Sequence, residues 1–473
     1  MRKNTLEKIV LVVCIMVPIF VLCLPTSMIP IAGITLIQHR LLAIFILAVL
    51  FWIFEPIEIH ATSVLIIFLE LIFLSDKGPV ILVNKIKDSS SLIDYKEILF
   101  CFSSPIIMLF LGGFFLALAA SKYGIDRKMA QILLKPFGVK TNIVLFGMIM
   151  ITAIFSMFMS NTATTAMMLA ILIPVVLGLD SDDPSRKSFA LAIPFAANIG
   201  GLGTPIGTPP NAVALKYLIG DNSVSFLEWM SFAVPYVLFF LIILWFLLLF
   251  FFPPKCSEIH IKFDDNFVWT KDRLLVALIF FITIFLWLSS GWHGVNSYIV
   301  ALFPVTVFSM TRLVNISDMH KLAWDVLWLV SGGIALGFAL EKTGLSRTFI
   351  NSIDLSVYHP VVLVAYLCTL SLIMATFMSN TATSNLTLPI AAAFSSEIVG
   401  LDAFGGQKML IIAVAFSCSL AMSLPVSTPP NAMSHASGLI NVREMSKLGV
   451  LVGALGLIGL ACLVSILLML DFF

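Results

Sequence analysis

The chain has 473 residues, of which 60% are hydrophobic and 11% charged, with a formal net charge of +1 and a mean hydropathy of +1.07. Soluble domains carry about 25% charged residues, so this composition excludes a soluble globular protein, and a charge near zero offers nucleic acid no footing. The apolar runs are continuous, as in 238–252, which excludes a membrane β-barrel and predicts an all-α polytopic protein in a lipid bilayer.

At the N-terminus, Arg2, Lys3 and Lys8 precede an apolar stretch, 9–24. No small-residue cleavage site follows, so this stretch reads as the first span, with its N-terminus cytoplasmic. Further spans follow at 41–54, 61–74 and 103–120. The long stretch 141–178 is polar at its centre, Ser160-Asn161-Thr162, and the span 187–219 is broken at Gly207-Thr208-Pro209-Pro210-Asn211. After a span at 229–252, residues 253–273 contain Pro253-Pro254 and eight charged residues and read as a cytoplasmic linker. Spans at 274–290, 297–311 and 325–341 come next. A second long stretch, 359–396, is centred on Ser379-Asn380-Thr381, and a second broken span, 408–440, carries Ser427-Thr428-Pro429-Pro430-Asn431. The last span is 448–470.

This order predicts about 11 transmembrane helices plus two re-entrant helical hairpins, 141–178 and 359–396, each turning at its polar centre. It places 18 of the 27 Lys and Arg residues inside and nine outside, in keeping with the positive-inside rule, and leaves the C-terminus outside.

The chain repeats itself. Met-Ser-Asn-Thr-Ala-Thr at 159–164 returns at 378–383, and Thr-Pro-Pro-Asn-Ala at 208–212 returns at 428–432. Gly112-Gly113 returns as Gly332-Gly333, and Lys122, Gly124 and Arg127 return as Lys342, Gly344 and Arg347. The offset is 220 throughout, slipping to 219 at the Ser-Asn-Thr phrase. Residues 1–252 and 274–473 thus read as two repeats. The first hairpin opens from the inside and the second from the outside, so the repeats are inverted. Inverted repeats meeting near the midplane give one site two alternative exits, the plan of a secondary transporter rather than a channel.

Four uncharged islands carry the chemistry. Ser, Thr and Asn cap helix ends at the tips, the helix that begins there favours an anion, and carbonyls freed at the turn can coordinate a hard cation such as Na⁺. Consecutive prolines remove two backbone donors, and unwound backbone in lipid is costly unless it lines a polar cavity. No Asp, Glu, Lys, Arg or His lies in these islands, which favours Na⁺ over proton coupling. Glu70 sits near one end of its span without a repeat counterpart, which gives it a structural or interfacial role; His435 reads as a hydrogen-bonded packing residue. The seven scattered cysteines read as packing residues. An enzyme using Ser160 or Ser379 as nucleophile would need a nearby base, and neither central stretch supplies one.

At these residues the chain resembles the divalent anion/Na⁺ symporter family, which includes Na⁺-coupled dicarboxylate, citrate and sulfate carriers. The resemblance covers nearly the whole chain. It implies a homodimer in the cell (inner) membrane, each protomer with a scaffold domain (spans within 9–120) and an elevator-type transport domain (elements within 141–219 and 359–440). It implies one Na⁺ at Ser156, Ser160, Asn161 and Gly207, and a second at Ala375, Met378, Asn380 and Ser427. It places substrate carboxylates at Ser160, Asn161, Thr162, Ser379, Asn380, Thr381, Thr428 and Pro429. Ala375 stands where the family often has Thr, beside Thr376, and its carbonyl can serve instead. Intact tips favour Na⁺-coupled uptake of C4-dicarboxylates such as succinate, fumarate or malate. The alternatives are a Na⁺-independent exchanger of dicarboxylates, 2-oxoglutarate or citrate, and a sulfate carrier, since the motifs alone do not size the anion.

Overall fold

A computed structural model describes residues 2–86, 91–259, 267–350, 358–395, 397–398 and 400–472. The linker segment 260–266 lies outside the described residues, as do two basic residues of the inside–outside count, Lys87 and Lys262. Among the described residues all regular secondary structure is helical, apart from isolated bridges at Ser75–Ile93 and Lys140–Glu258.

In chain order, α1 (Arg2–Cys23), α2 (Leu36–Phe54) and α3 (Ile59–Phe73) precede two short helices, α4 (Val80–Val83) and α5 (Tyr95–Phe100), and then α6 (Pro105–Lys122). The amphipathic α7 (Ile125–Leu134) leads into α8 (Thr141–Phe158), α9 (Asn161–Leu177), α10 (Ser185–Gly201), α11 (Pro209–Leu215) and α12 (Phe226–Phe251). The second half holds α13 (Lys271–Leu288), α14 (Ser290–His293), α15 (Ser297–Met310), α16 (Ile316–Met319), α17 (Trp324–Lys342) and α18 (Leu345–Ile350). It ends with α19 (Pro360–Phe377), α20 (Asn380–Ser395), α21 (Gly406–Ser419), α22 (Pro429–Ala436) and α23 (Val442–Met469).

Local chemistry sets the boundaries. Helix α2 starts five residues before the apolar run because Thr35 and Gln38 form a reciprocal capping box. That extra turn buries Arg40, whose guanidinium donates to Phe73 O (3.0 Å) and Leu82 O (2.9 Å). Ser225 and Glu228 cap α12 in the same way, and Pro105 opens α6 where its missing N–H costs nothing. Among the described residues seven helices are long and apolar enough to cross a membrane, from Leu36–Phe54 to Val442–Met469.

Two packed groups emerge. Helices α1, α2, α3, α6, α13, α15 and α17 form one, built on the crossings of α6 with α15 and of α3 with α17. The repeated glycines permit both crossings: a Cβ at Gly112 would stand 2.3 Å from Ala301 O, and one at Gly332 would stand 2.4 Å from Ser63 Cβ. Helices α8–α12 and α19–α23 form the other. Within it the halves exchange their short helices. Helix α11, from the first half, packs on α20 and α21, while α22, from the second, packs on α9 and α10.

The linker is partly docked. Ser257 O accepts from Thr141 N (3.0 Å) and Ile259 N donates to Val139 O (2.7 Å). Asp183 accepts from the backbone N–H groups of Lys255 (3.2 Å) and Cys256 (3.0 Å). Residues 253–259 are therefore fastened to the bases of α8 and α10.

Candidate functional site

The first tip forms because Met159 is extended (φ −122°, ψ 161°) and Ser160 caps the next helix, its Oγ accepting from Ala163 N at 3.2 Å. The second tip does the same: Met378 is extended (φ −115°, ψ 171°) and Ser379 Oγ accepts from Ala382 N at 3.1 Å. The breaks match as closely. Thr208 (φ −143°, ψ 146°) and Thr428 (φ −145°, ψ 147°) are both extended before their prolines.

The asparagine after each proline pair staples the unwound segment. Asn211 Nδ2 donates to Gly201 O, Leu202 O and Thr204 O (3.1, 3.2 and 2.9 Å). Asn431 Nδ2 donates to Met422 O (2.8 Å) and Leu424 O (3.1 Å), the positions 220 residues beyond Leu202 and Thr204. These bonds replace those the prolines and the unwinding remove. Thr204 Oγ1 also donates to Met157 O, tying the first break to the first tip.

At the first tip, oxygens converge. One terminal atom of the Asn161 carboxamide lies 2.6 Å from Ser156 Oγ, 2.9 Å from Gly207 O and 3.3 Å from Ala197 O. With nitrogen at that position, Asn161 donates to all three. With oxygen there, four oxygens meet and only the Ser156 hydroxyl proton lies among them, a set that a hard cation neutralises. Ser156 is fully buried and its Oγ donates to Ala197 O at 2.8 Å. The close approach requires glycine twice over. A Cβ at Gly201 would stand 2.7 Å from Asn161 Oδ1, and one at Gly207 would stand 2.4 Å from Gly201 O.

The second tip redistributes the same groups. Ala375 occupies the place of Ser156, and Ser427 that of Gly207. The hydroxyl has moved from the helix to the broken segment, where Ser427 Oγ donates to Thr376 O at 2.7 Å. Asn380 is buried and its Oδ1 has no partner among the described residues. The Oδ1 atoms of Asn198, Asn211 and Asn385 are likewise without a partner among the described residues, so what distinguishes Asn380 is its place at the tip, where an acceptor can meet a ligand.

The expected site residues differ in their surroundings. Ser156, Asn161 and Gly207 are brought together. Ser160, Ser379 and Thr381 are half-buried at the tips, and Thr162 and Pro429 are exposed beside them. Thr428 is buried and serves the first half: its Oγ1 accepts from Asn198 Nδ2 at 3.1 Å. For Ala375 and Met378 the side chains are buried below the second tip. Asn198 was not among the expected residues, although it bridges Thr428 and Asn431 Oδ1 (3.2 Å). Its signal was available: it is a buried amide on an apolar helix next to Gly200-Gly201. The Ala197 carbonyl carried no signal.

Among the described residues no three His, Cys, Asp or Glu side chains are grouped to hold a metal ion. The donors are neutral oxygens, which suit a hard monovalent cation and not a transition metal. His435 is hydrogen-bonded, its ring nitrogen 3.1 Å from Ile440 O. Glu70 is fully buried, and neither carboxylate oxygen has a partner among the described residues.

Comparison with known proteins agrees with this architecture. A model of the citrate transporter family matches residues 49–405. An uncharacterized transporter of Haemophilus influenzae is 30% identical over 462 residues, covering 91% of this chain and 96% of that one. The sodium-dependent dicarboxylate transporter SdcS of Staphylococcus saprophyticus is 28% identical over 465 residues, covering 90% of this chain and 85% of its own. SdcS of Staphylococcus aureus is 28% identical over 447 residues, covering 86% and 82%. A chain whose described residues are helical and include seven helices fit to cross a membrane, and which transporters match over most of its length, is itself a membrane transporter and not an enzyme: it belongs to the citrate transporter family.

Proposed function

We propose that this protein is a Na⁺-coupled symporter that takes up C4-dicarboxylates such as succinate, fumarate and malate. The observation that carries the reading is the convergence of Ser156 Oγ, Asn161, Ala197 O and Gly207 O on one point. One Na⁺ binds there, with Ser160 beside it. A second binds at Asn380, Ser427 and the carbonyls of Ala375 and Met378. Each cation brings positive charge to a tip where a helix begins, and the substrate carboxylates bind across both tips to Ser160, Asn161, Thr162, Ser379, Asn380, Thr381, Thr428 and Pro429. Cation and anion thereby stabilise each other, which is the thermodynamic content of coupling.

In this reading the two halves are inverted repeats, with 11 spans and two re-entrant hairpins. The group α8–α12 with α19–α23 moves as an elevator against the group around α6 and α17. The exchange of α11 and α22 between halves supports it, because it makes both tips and both breaks one body. The protein works as a homodimer in the inner membrane, N-terminus cytoplasmic and C-terminus outside.

The test is uptake of radiolabelled succinate into proteoliposomes with and without an inward Na⁺ gradient. The expected result is concentrative uptake that requires Na⁺. Sustained counterflow without Na⁺ would instead make the protein an exchanger. Because the matching family model is that of citrate transporters, citrate and sulfate are run as competing anions, and competition by succinate over both fixes the substrate class.

A further inference from the structure

Away from both tips, a cavity of about 790 Å³ lies between α17 and α18 on one wall and α11, α20 and α21 on the other. Its volume is in the range of pockets that enclose a small organic ligand. The mouth carries Glu341, Lys342 and Arg347, all exposed; the deep end carries Lys216, half-buried, and Tyr217. We propose that this cavity is a second anion site, which holds a small polycarboxylate before it reaches the tips.

Two features of the deep end point to a ligand. Tyr217 is only 7% exposed, yet its hydroxyl has no hydrogen-bond partner among the described residues. A buried phenol normally finds one. Beside it, Lys216 Nζ spends one of its three protons on Ile334 O (2.8 Å) and keeps two for an acceptor. Both side chains reach this point only because residue 337 is glycine. A Cβ there would stand 2.3 Å from the Tyr217 hydroxyl and 2.8 Å from Lys216 Nζ.

The charge balance suits an anion. The lining holds Lys216, Lys342 and Arg347 against Glu341. Lys342 is occupied by Glu97 at 3.1 Å; Glu70 and Glu341 lie within electrostatic range of Lys216 but form no ion pair with it, so among the described residues Lys216 and Arg347 are the lining cations left without an ion pair. A carboxylate at the deep end would accept from Lys216 and from the Tyr217 hydroxyl, and a second carboxylate would face Arg347. The repeat does not require this arrangement. The positions 220 residues from Lys216, Tyr217 and Gly337 are Ala436, Ser437 and Ala117. Helix α11 also begins at the first proline break, so an anion held by Lys216 sits on the element that carries one wall of the main site.

The choice of polycarboxylate rests on the function proposed above; the existence of the site does not. The experiment is equilibrium binding of radiolabelled succinate and citrate to the purified full chain without Na⁺, in an Asn380→Ala background that disables the second tip. The expected result is retained, chloride-resistant binding, weakened about tenfold by Tyr217→Phe and by Lys216→Gln. Tyr217→Phe removes a hydroxyl without a hydrogen-bond partner among the described residues, so a folding defect does not explain its effect, and it decides the matter if Lys216→Gln fails to fold. Absence of Na⁺-independent binding, or binding unchanged by Tyr217→Phe, would overturn the proposal. Failure of the main reading shows elsewhere, as Na⁺-independent uptake by the unaltered protein.

Discussion

At the scale of single residues, the first tip is a problem of spacing. Asn161, Ser156 and Gly207 share one point only while Gly201 lacks a side chain, since a Cβ would stand 2.7 Å from Asn161 Oδ1 and 3.0 Å from Gly207 O. Gly201→Ala is therefore expected to abolish Na⁺-dependent uptake while the protein still reaches the membrane. Uptake at the wild-type rate would show that the oxygens do not act together. Ser156→Ala leaves the spacing intact and deletes one of the oxygens proposed to coordinate Na⁺. Losing roughly 1.4 kcal/mol of cation binding raises the Na⁺ concentration for half-maximal uptake about tenfold. The succinate KM at saturating Na⁺ is expected to change little. The tips themselves were readable in the sequence, because capping by Ser160 and Ser379 is decided within three residues. The Ala197 carbonyl was not, and the amide of Asn198 stood out on an apolar helix without disclosing its partners, because both roles depend on which helix packs against which.

At the scale of elements, one polar side chain supplies several of the bonds that hold each broken segment and the linker. Asn211 makes three bonds to backbone carbonyls and Asn431 makes two. The two hydrogens of each amide make the equivalent of two full bonds at most, so at about 1 kcal/mol net per bond Asn211→Ala and Asn431→Ala should each cost roughly 2 kcal/mol, read as a fall in the melting temperature. Equal stability of both variants and the wild type would remove the staple from the account. Pro-Pro announced the breaks in the sequence; that the following Asn closes them did not follow from spacing, since it reaches back seven to ten residues.

The linker shows a similar gap. Residues 253–273 read as a polar tether, yet 253–259 are fixed by Asp183. Burial pushes the Asp183 carboxyl up, but the backbone N–H groups of Ser185, Lys255 and Cys256 outweigh it and hold the group below the usual carboxylate range. A depressed folded-state pKa means that the stabilisation is complete above the unfolded value near 4 and lost as pH falls through the lower folded value. The docked linker should accordingly resist trypsin at Lys255 at neutral pH, and Asp183→Ala should expose it there. Resistance unchanged by the substitution would place the fastening in the Thr141 and Ile259 bonds alone.

At the scale of the whole molecule, the exchange of short helices decides how the chain must fold. Composition and apolar periodicity announced the spans, and the 220-residue offset announced two related halves. Neither announced that α11 leaves the first half to pack on α20 and α21, or that α22 leaves the second to pack on α9 and α10. Each half, made alone, would leave its tip without the facing short helix and would expose the buried amides of Asn198 and Asn431 to lipid without their partners. An unpaired polar group in hydrocarbon costs several kcal/mol. Cutting the gene between residues 259 and 267 leaves the docked segment 253–259 with the first half. Neither fragment alone is then expected to accumulate as protease-resistant protein, while co-expression restores both resistance and Na⁺-dependent uptake. The two halves would co-purify through the exchanged helices. A first half that folds and resists protease by itself would mean that the exchange contributes little, and that the tips are assembled within halves and not between them.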